Sequence, residues 1–155
     1  MTTCVDATAL FDILRGDDRL AVESRRLLRS AARKDDLVIS EPAFAEVSAA
    51  IRDLGDLDAF LKDCGIRLIR STPPSLSHAG RAWREYTGRR RAGLECSACG
   101  AMSQPTCGSC GVALRSRQHM IADFVVGAHA MANGGKLITR DAGYYKTYFP
   151  DLKLL

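Results

Sequence analysis

The sequence predicts an α/β domain in which a central, mainly parallel sheet lies between two layers of helices. Short apolar runs rich in Val, Ile and Leu alternate with longer segments whose apolar residues recur at helical spacing. Such alternation is typical of parallel strands joined by crossover helices. The chain has 155 residues and a hydrophobic content of 46%, which suits one well-packed core. We therefore expect a single domain over residues 1–155.

The strands are predicted where short apolar runs meet turn residues. They cover residues 3–5, 37–39, 66–69, 136–139 and 153–155, the last as an edge strand. The intervening segment 17–34 is amphipathic, with Leu20 and Leu28 on its apolar side and arginines on the other. A second helix is predicted to open at Pro42, since proline suits a first helical turn, and to end at Gly55. Its buried stripe is predicted to comprise Phe44, Val47, Ile51 and Leu54.

The later helices are predicted from caps and periodicity. Residues 56–63 form a short helix, and Ser75 is expected to cap a helix whose core face includes Leu76 and Trp83. The segment Ile121–Asn133 is apolar at helical spacing, and the glycines that follow it favour a helix end. A last helical turn is expected at 144–149.

Composition excludes several classes of protein. The net charge of +4 and the pI of about 8.8 are mildly basic, which is compatible with nucleic acid but weak support for it. The N-terminal segment contains Asp6 and Asp12 and no basic leader, so we expect no secretory signal. No apolar stretch is long enough for a membrane helix. The cysteine spacing suits a reducing compartment, so a cytoplasmic location is expected.

Acidic side chains are predicted to meet at one edge of the sheet. Asp6, Glu41 and Asp141 closely follow strands, whereas Glu46 and Asp123 lie in helices that begin at the same edge. Glu46 is preferred over Glu41 as the second acid of the site because Glu41 at the helix start can simply offset the helix dipole. The choice between these two glutamates stays open.

Clustered carboxylates repel one another unless a cation binds, and hard oxygen ligands suit Mg²⁺ or Mn²⁺. Without a Ser-His or Cys-His arrangement, such a cluster favours metal-assisted hydrolysis of a phosphodiester. Each acid also has a structural interpretation. Asp6 is placed to cap a helix, Asp123 to offset a helix dipole, and Asp141 to stabilise a turn.

Three stretches carry a resemblance to a known family. They are VDATALFDIL, ISEPAFAEV and IADFVVGAHAMANGGKLITRDAGYYKTYFP. Together they resemble the successive motifs of PIN-domain ribonucleases, and in particular the VapC toxins of bacterial toxin–antitoxin pairs. The resemblance covers nearly the whole chain except the cysteine segment. It implies a PIN-like three-layer α/β/α fold.

The resemblance also implies a function. It suggests a Mg²⁺-dependent endoribonuclease, RNA as substrate, a cognate antitoxin that blocks the site, and a homodimer. Carried over by motif, the family's acids fall on Asp6, Glu46, Asp123 and Asp141. Thr8 matches the hydroxyl residue that commonly follows the first acid.

The ordinary family pattern has no counterpart to the cysteine segment at 94–112. Two CxxC pairs there, each followed by glycine, predict a tetrahedral Zn²⁺ site in a small zinc ribbon inserted in the domain. Its ligands are Cys96, Cys99, Cys107 and Cys110. Disulfides or a redox pair are the alternatives, and His119 is a remote substitute ligand. Arginines flank the segment, and they have two interpretations, as contacts to an RNA backbone or as ordinary solvated surface side chains.

The sequence has two rival functional interpretations. A haloacid-dehalogenase-like phosphatase needs a second acid two residues after Asp6, where Thr8 stands. A non-catalytic zinc-ribbon module that binds RNA or acts in assembly requires the acids to be scattered. His129 is expected to be a packed, hydrogen-bonded core residue. Arg140 is expected to pair with a carboxylate, with RNA phosphate as the alternative.

Overall fold

A computed structural model of the chain describes residues 1–16, 18–89, 94–95, 102–113 and 120–155. Its centre is a five-stranded sheet in the order β3-β2-β1-β6-β7, and every neighbouring pair is parallel. The strands of this sheet are β1 Thr2–Val5, β2 Asp36–Ile39, β3 Ile66–Leu68, β6 Lys136–Ile138 and β7 Lys153–Leu154. The predicted parallel sheet and the edge strand at the C-terminal end are confirmed.

Seven helices flank the sheet in the described ranges, as a three-layer α/β/α fold requires. They are α1 Ala7–Arg15, α2 Asp18–Ala32, α3 Glu41–Ala50, α4 Leu54–Asp63, α5 Pro73–Arg89, α6 Ile121–Ala132 and α7 Ala142–Tyr148. The core lies where the middle strands meet the helices: Val38 and Ile39 of β2 and Leu137 of β6 are fully buried. None of the described helices is both long and apolar enough to span a membrane.

The prediction of one helix from Pro42 to Gly55 is wrong. Helix α3 ends at Ala50, and Ile51 has an extended backbone. Helix α4 then starts anew because the Asp53 side chain accepts a hydrogen bond from the Asp56 N–H at 3.0 Å. Leu54, expected in the buried stripe, is 63% exposed.

Other boundaries and faces also differ from expectation. Helix α5 begins at Pro73, before the predicted cap Ser75, and the Ser75 N–H donates to Thr72 Oγ1 at 3.4 Å. Leu20 and Leu76 are largely exposed although helical spacing assigned them to core faces. Each lies in the first turn of its helix. Periodicity shows which residues share a face but not how far along the helix the core extends.

The turn between α6 and β6 depends on glycine. Gly134 has φ 120° and Gly135 has φ 68°, in the region that L side chains rarely adopt. A Cβ on Gly134 would lie 2.5 Å from the carbonyl oxygen of Thr2. This close approach seats the turn against the start of β1, so β6 pairs with β1 and its end lies beside Asp6.

The cysteine segment contributes a second, two-stranded sheet. Strand β4, Leu94–Glu95, pairs antiparallel with β5, Met102–Ser103. Cys107 and Cys110 are described, whereas Cys96 and Cys99 lie outside the described residues. The ribbon at 94–112 and the single-domain boundaries 1–155 stay predictions.

Candidate active site

Asp6 lies at the carboxyl end of β1, in the middle of the sheet. Its N–H donates to the carbonyl oxygen of Ile138 at 2.9 Å, which extends the β1–β6 pairing to the first residue past the strand. The residue is 5% exposed. Its Oδ2 accepts hydrogen bonds from Thr8 Oγ1 at 2.9 Å and Thr139 Oγ1 at 2.7 Å. Two threonine hydroxyls, one from α1 and one from the residue after β6, therefore fix the orientation of this carboxylate.

Burial raises the pKa of Asp6 above the ordinary aspartate value, because removal from water disfavours the charged form. The hydrogen bonds from Thr139, Thr8 and the Ala7 N–H act in the opposite direction. The negative charge of Asp123 raises the pKa further. A bound cation would reverse this penalty.

Glu46 lies in the middle of α3, the helix that follows β2, and its side chain is partly buried. Burial raises its pKa, and the charges of Asp6 and then Asp123 add to the effect. Glu46, Asp6 and Asp123 are thus within electrostatic reach of one another. Three of the four predicted acids come together although they are far apart in sequence.

Asp123 lies in the first turn of α6. Its Oδ2 accepts a hydrogen bond from the Met120 N–H at 2.8 Å, so the carboxylate also caps the helix. Asp123 therefore has the structural role predicted for it, which is to stabilise the start of α6. The same carboxylate raises the pKa of both Asp6 and Glu46.

Asp141 joins the group less directly. It is exposed and occupies the N-cap position of α7. Its backbone N–H donates to Thr139 Oγ1 at 3.1 Å, and that hydroxyl donates in turn to Asp6. The Thr139 hydroxyl therefore connects the backbone N–H of Asp141 to the carboxylate of Asp6.

Glu41, the competitor of Glu46, is engaged elsewhere. Its carboxylate accepts hydrogen bonds from the N–H and the hydroxyl of Ser71. Burial opposes ionisation of Glu41, but these hydrogen bonds outweigh it and the pKa is lowered. Glu41 thus carries a stabilised charge, in contrast to Glu46.

The acids supply the hard oxygen donors that Mg²⁺ and Mn²⁺ prefer. Across the ranges that the structure describes, no three His, Cys, Asp or Glu side chains lie close enough together to hold a metal ion. The donor chemistry and the raised pKa values of Asp6 and Glu46 fit a divalent cation, and the side chains would have to converge further to share one.

Two further residues matter to the site. The sequence patterns did not point to Thr139. It follows β6 as directly as Asp6 follows β1, and this equivalent position could have identified it. Arg140 pairs with carboxylates as expected, donating to Asp12 at 2.7 Å and Glu23 at 3.2 Å. Its backbone N–H donates to Thr8 Oγ1 at 3.1 Å.

The second cysteine pair forms a tight turn. The Cys107 N–H donates to the Val112 carbonyl, the Gly111 N–H donates to the Cys107 carbonyl, and Gly111 has φ 69°. Hydrogen bonds from the backbones of Ser109 and Cys110 lower the pKa of the Cys107 thiol. N–H groups directed at sulfur stabilise a thiolate, which is the form that binds metals.

Comparison with known proteins identifies the family. No match is found among curated proteins. One similar structure is a chain in the crystal structure of VapBC2 from Rickettsia felis bound to a DNA fragment from their promoter. The match has a TM-score of 0.65 at 15% identity and covers 100% of this chain and 98% of that one, so it shows a shared fold. A model of the PIN domain matches residues 3–150, and the chain therefore belongs to the PIN domain family.

Proposed function

We propose that this protein is a Mg²⁺-dependent endoribonuclease and the toxin of a toxin–antitoxin pair. PIN domains are generally metal-dependent nucleases, which supports hydrolase activity. The observation that carries the proposal is the convergence of Asp6, Glu46 and Asp123 at the carboxyl edge of a parallel sheet, where Asp123 adds to the raised pKa of Asp6 and both aspartates add to the raised pKa of Glu46. The rival interpretation, a non-catalytic RNA-binding module, needs scattered acids.

In this mechanism Asp6, Glu46, Asp123 and Asp141 would hold one or two Mg²⁺, directly or through water. When bound, Mg²⁺ would supply a lowered pKa for the attacking water and positive charge beside the phosphate. Thr8 and Thr139 orient the Asp6 carboxylate by donating to Oδ2. In-line attack of water on phosphorus breaks the P–O3′ bond and leaves a 5′-phosphate on the released fragment.

Cleavage of RNA by purified protein, with and without Mg²⁺, tests this mechanism beside an Asp6→Asn variant. We expect Asp6→Asn to lose at least about 100-fold in rate, since changes in groups that merely orient metal ligands already cost about 10- to 100-fold. Asp58→Asn, which alters an exposed carboxylate on α4, is the matched control and should cleave normally. Equal cleavage by Asp6→Asn and the wild-type protein would refute the assignment.

An antitoxin and a homodimer complete the proposal. The similar chain comes from a crystal structure of VapBC2 bound to a DNA fragment from their promoter. This likeness supports a search for a small DNA-binding antitoxin encoded beside this gene. Expression of the chain alone should arrest growth, and co-expression of that neighbour should relieve the arrest. Expression of Asp6→Asn should be harmless. Light scattering of the purified protein measures whether it is a dimer.

We also propose that Cys96, Cys99, Cys107 and Cys110 bind one structural Zn²⁺. The support is the turn at Cys107, where backbone N–H groups lower the thiol pKa. Metal analysis of protein purified without added metal should find about one zinc per chain. Cys107→Ser should lose the zinc, whereas Cys64→Ser, at the end of α4, should keep it. Zinc-free protein under freshly reduced conditions would refute the site.

A further inference from the structure

Outside the acidic group, a hydrogen-bonded bridge of three residues joins α3, the loop after β3, and α6. The Ser71 N–H lies 2.9 Å from Glu41 Oε1 and 3.0 Å from Oε2, and the Ser71 hydroxyl donates to Oε2 at 2.8 Å. The same hydroxyl oxygen lies 3.1 Å from His129 Nδ1. We call this set the Glu41–Ser71–His129 bridge.

The bridge determines the protonation of His129. A serine hydroxyl has one hydrogen, and here it is donated to Glu41. Ser71 Oγ must then accept from His129, which places the imidazole proton on Nδ1. His129 is fully buried, and its Nε2 has no hydrogen-bond partner in the described part of the chain. Burial also lowers the pKa of His129, so the imidazole is neutral and donates its one N–H to Ser71.

The bridge joins the two helices that carry site acids. Glu41 is five residues before Glu46 on α3, about 7.5 Å along the helix axis, and His129 is six residues after Asp123 on α6, about 9 Å. Because a helix is stiff over such short distances, fixing Glu41 and His129 to Ser71 also fixes where Glu46 and Asp123 lie relative to one another. A shift of either helix by one residue would break the bridge.

We infer that the Glu41–Ser71–His129 bridge is a positioning device that sets the separation of Glu46 and Asp123, so that both can serve one metal site. The hydrogen bonds to Ser71 then give Glu41 a role distinct from metal binding. This inference rests on the proposed function, because it assumes that Glu46 and Asp123 act on the same ion.

The first test is the tautomer of His129, which involves neither metal nor RNA. The ¹⁵N chemical shifts of the imidazole, assigned with a His129→Gln variant, should show the proton on Nδ1 in the wild-type protein. In Ser71→Ala the proton should move to Nε2, whereas Ser71→Thr keeps the hydroxyl and should retain it on Nδ1. A wild-type proton on Nε2 would overturn the bridge.

The second test is Mn²⁺ affinity, measured by calorimetry. Ser71→Ala should bind Mn²⁺ about tenfold more weakly, as expected for loss of an outer-shell contact. Ser71→Thr should restore the affinity. Ser48→Ala is the control, because Ser48 lies on α3, the helix of Glu41 and Glu46, and its hydroxyl donates within that helix, to the Ala45 carbonyl. Melting temperatures of all variants separate loss of folding from loss of positioning.

The outcomes separate the two proposals. If the wild-type protein binds Mn²⁺ and Ser71→Ala binds it equally well, the positioning role is overturned and the nuclease proposal stays intact. Wild-type protein that neither binds Mn²⁺ nor cleaves RNA would overturn the proposed function and, with it, the positioning role. Weaker binding by Ser71→Ala with recovery in Ser71→Thr supports the inference.

Discussion

At the scale of single residues, Thr139 holds the site together. Its hydroxyl hydrogen is donated to Asp6, and its oxygen accepts the N–H of Asp141. Thr8 acts similarly, donating to Asp6 and accepting the N–H of Arg140. Two hydroxyls thus stabilise a buried carboxylate and connect it to the loop after β6.

Replacing Thr139 by valine should reduce RNA cleavage by about 10- to 100-fold, because Asp6 loses an orienting donor while the side-chain shape is preserved. The stability cost should be about 1 kcal/mol, the usual value for one hydrogen bond. Thr3→Val is the matched control. It removes a buried hydroxyl that donates to Asp35 at 2.8 Å, among the residues at the amino ends of the strands.

Both variants should lose similar stability in urea unfolding, and only Thr139→Val should lose activity. Equal activity in the two variants would contradict the role of Thr139.

Glu46 gives a prediction for pH. Because its pKa is raised in the folded protein, the native state holds its proton at pH values where the unfolded chain has released it. Stability therefore falls as pH rises from the ordinary glutamate pKa through the raised value, and stays lower above it.

In EDTA near neutral pH, Glu46→Gln should melt on the order of a few degrees higher than the wild-type protein. The difference should vanish below about pH 4, where the carboxyl is protonated in both states. Asp58→Asn, which alters an exposed carboxylate on α4, is the control for removal of one negative charge. A Glu46→Gln variant that melts lower than the wild-type protein near neutral pH would contradict a Glu46 charge disfavoured by burial and by the neighbouring aspartates.

At the scale of elements, helix α6 is held by specific contacts in its first turn, its middle and its last turn. Its first turn bears Asp123, its last turn bears His129, and Gly127 between them faces the ring of Phe149. A Cβ at Gly127 would lie 2.5 Å from that ring. The helix and the C-terminal segment therefore pack at a distance that only glycine allows.

Gly127→Ala should destabilise the protein by about 1–3 kcal/mol, the usual cost of forcing extra volume into a packed core. Gly80→Ala on α5 is the control, since a Cβ there meets nothing within 4 Å. It should stabilise the protein by up to about 1 kcal/mol because alanine favours the helix. Urea unfolding measures both, and a neutral Gly127→Ala would show that Phe149 moves aside.

At the scale of the whole molecule, charge is arranged differently at the two ends of the parallel strands. At the amino ends, Asp35 is paired with Lys136 at 2.7 Å and accepts the Thr3 hydroxyl. At the carboxyl ends, the guanidinium of Arg140 is engaged by Asp12 and Glu23 and so does not neutralise the site acids.

Arg140 also joins the loop after β6 to α1 and α2. Arg140→Ala should cost about 2 kcal/mol, because the partly buried carboxylate of Asp12 loses its ion pair with Arg140 and keeps the hydrogen bond from the Ser24 hydroxyl. Arg67→Ala breaks an exposed ion pair with Asp36 at 3.5 Å and should change stability by less than about 0.5 kcal/mol. Chemical unfolding of both variants tests the contrast, and equal costs would contradict it.

Much of this architecture could be predicted from local pattern. Strand positions followed from short apolar runs, and the end of α6 followed from its glycines, because both depend on neighbouring residues. The break between α3 and α4 could not be seen in the same way. The apolar spacing continued through Leu54, and the cap at Asp53 outweighed it.

The sequence by itself determined the parallel α/β fold and the family, since these depend on periodicity and on motifs that are contiguous in the chain, and it predicted which acids form the site. Only the tertiary structure decided that Thr139 holds Asp6, that Arg140 is engaged by Asp12 and Glu23, and that Glu41 bonds to Ser71. The physical reason is that these contacts join segments up to 133 residues apart. Their geometry depends on strand order, register and helix packing, and no local pattern encodes it.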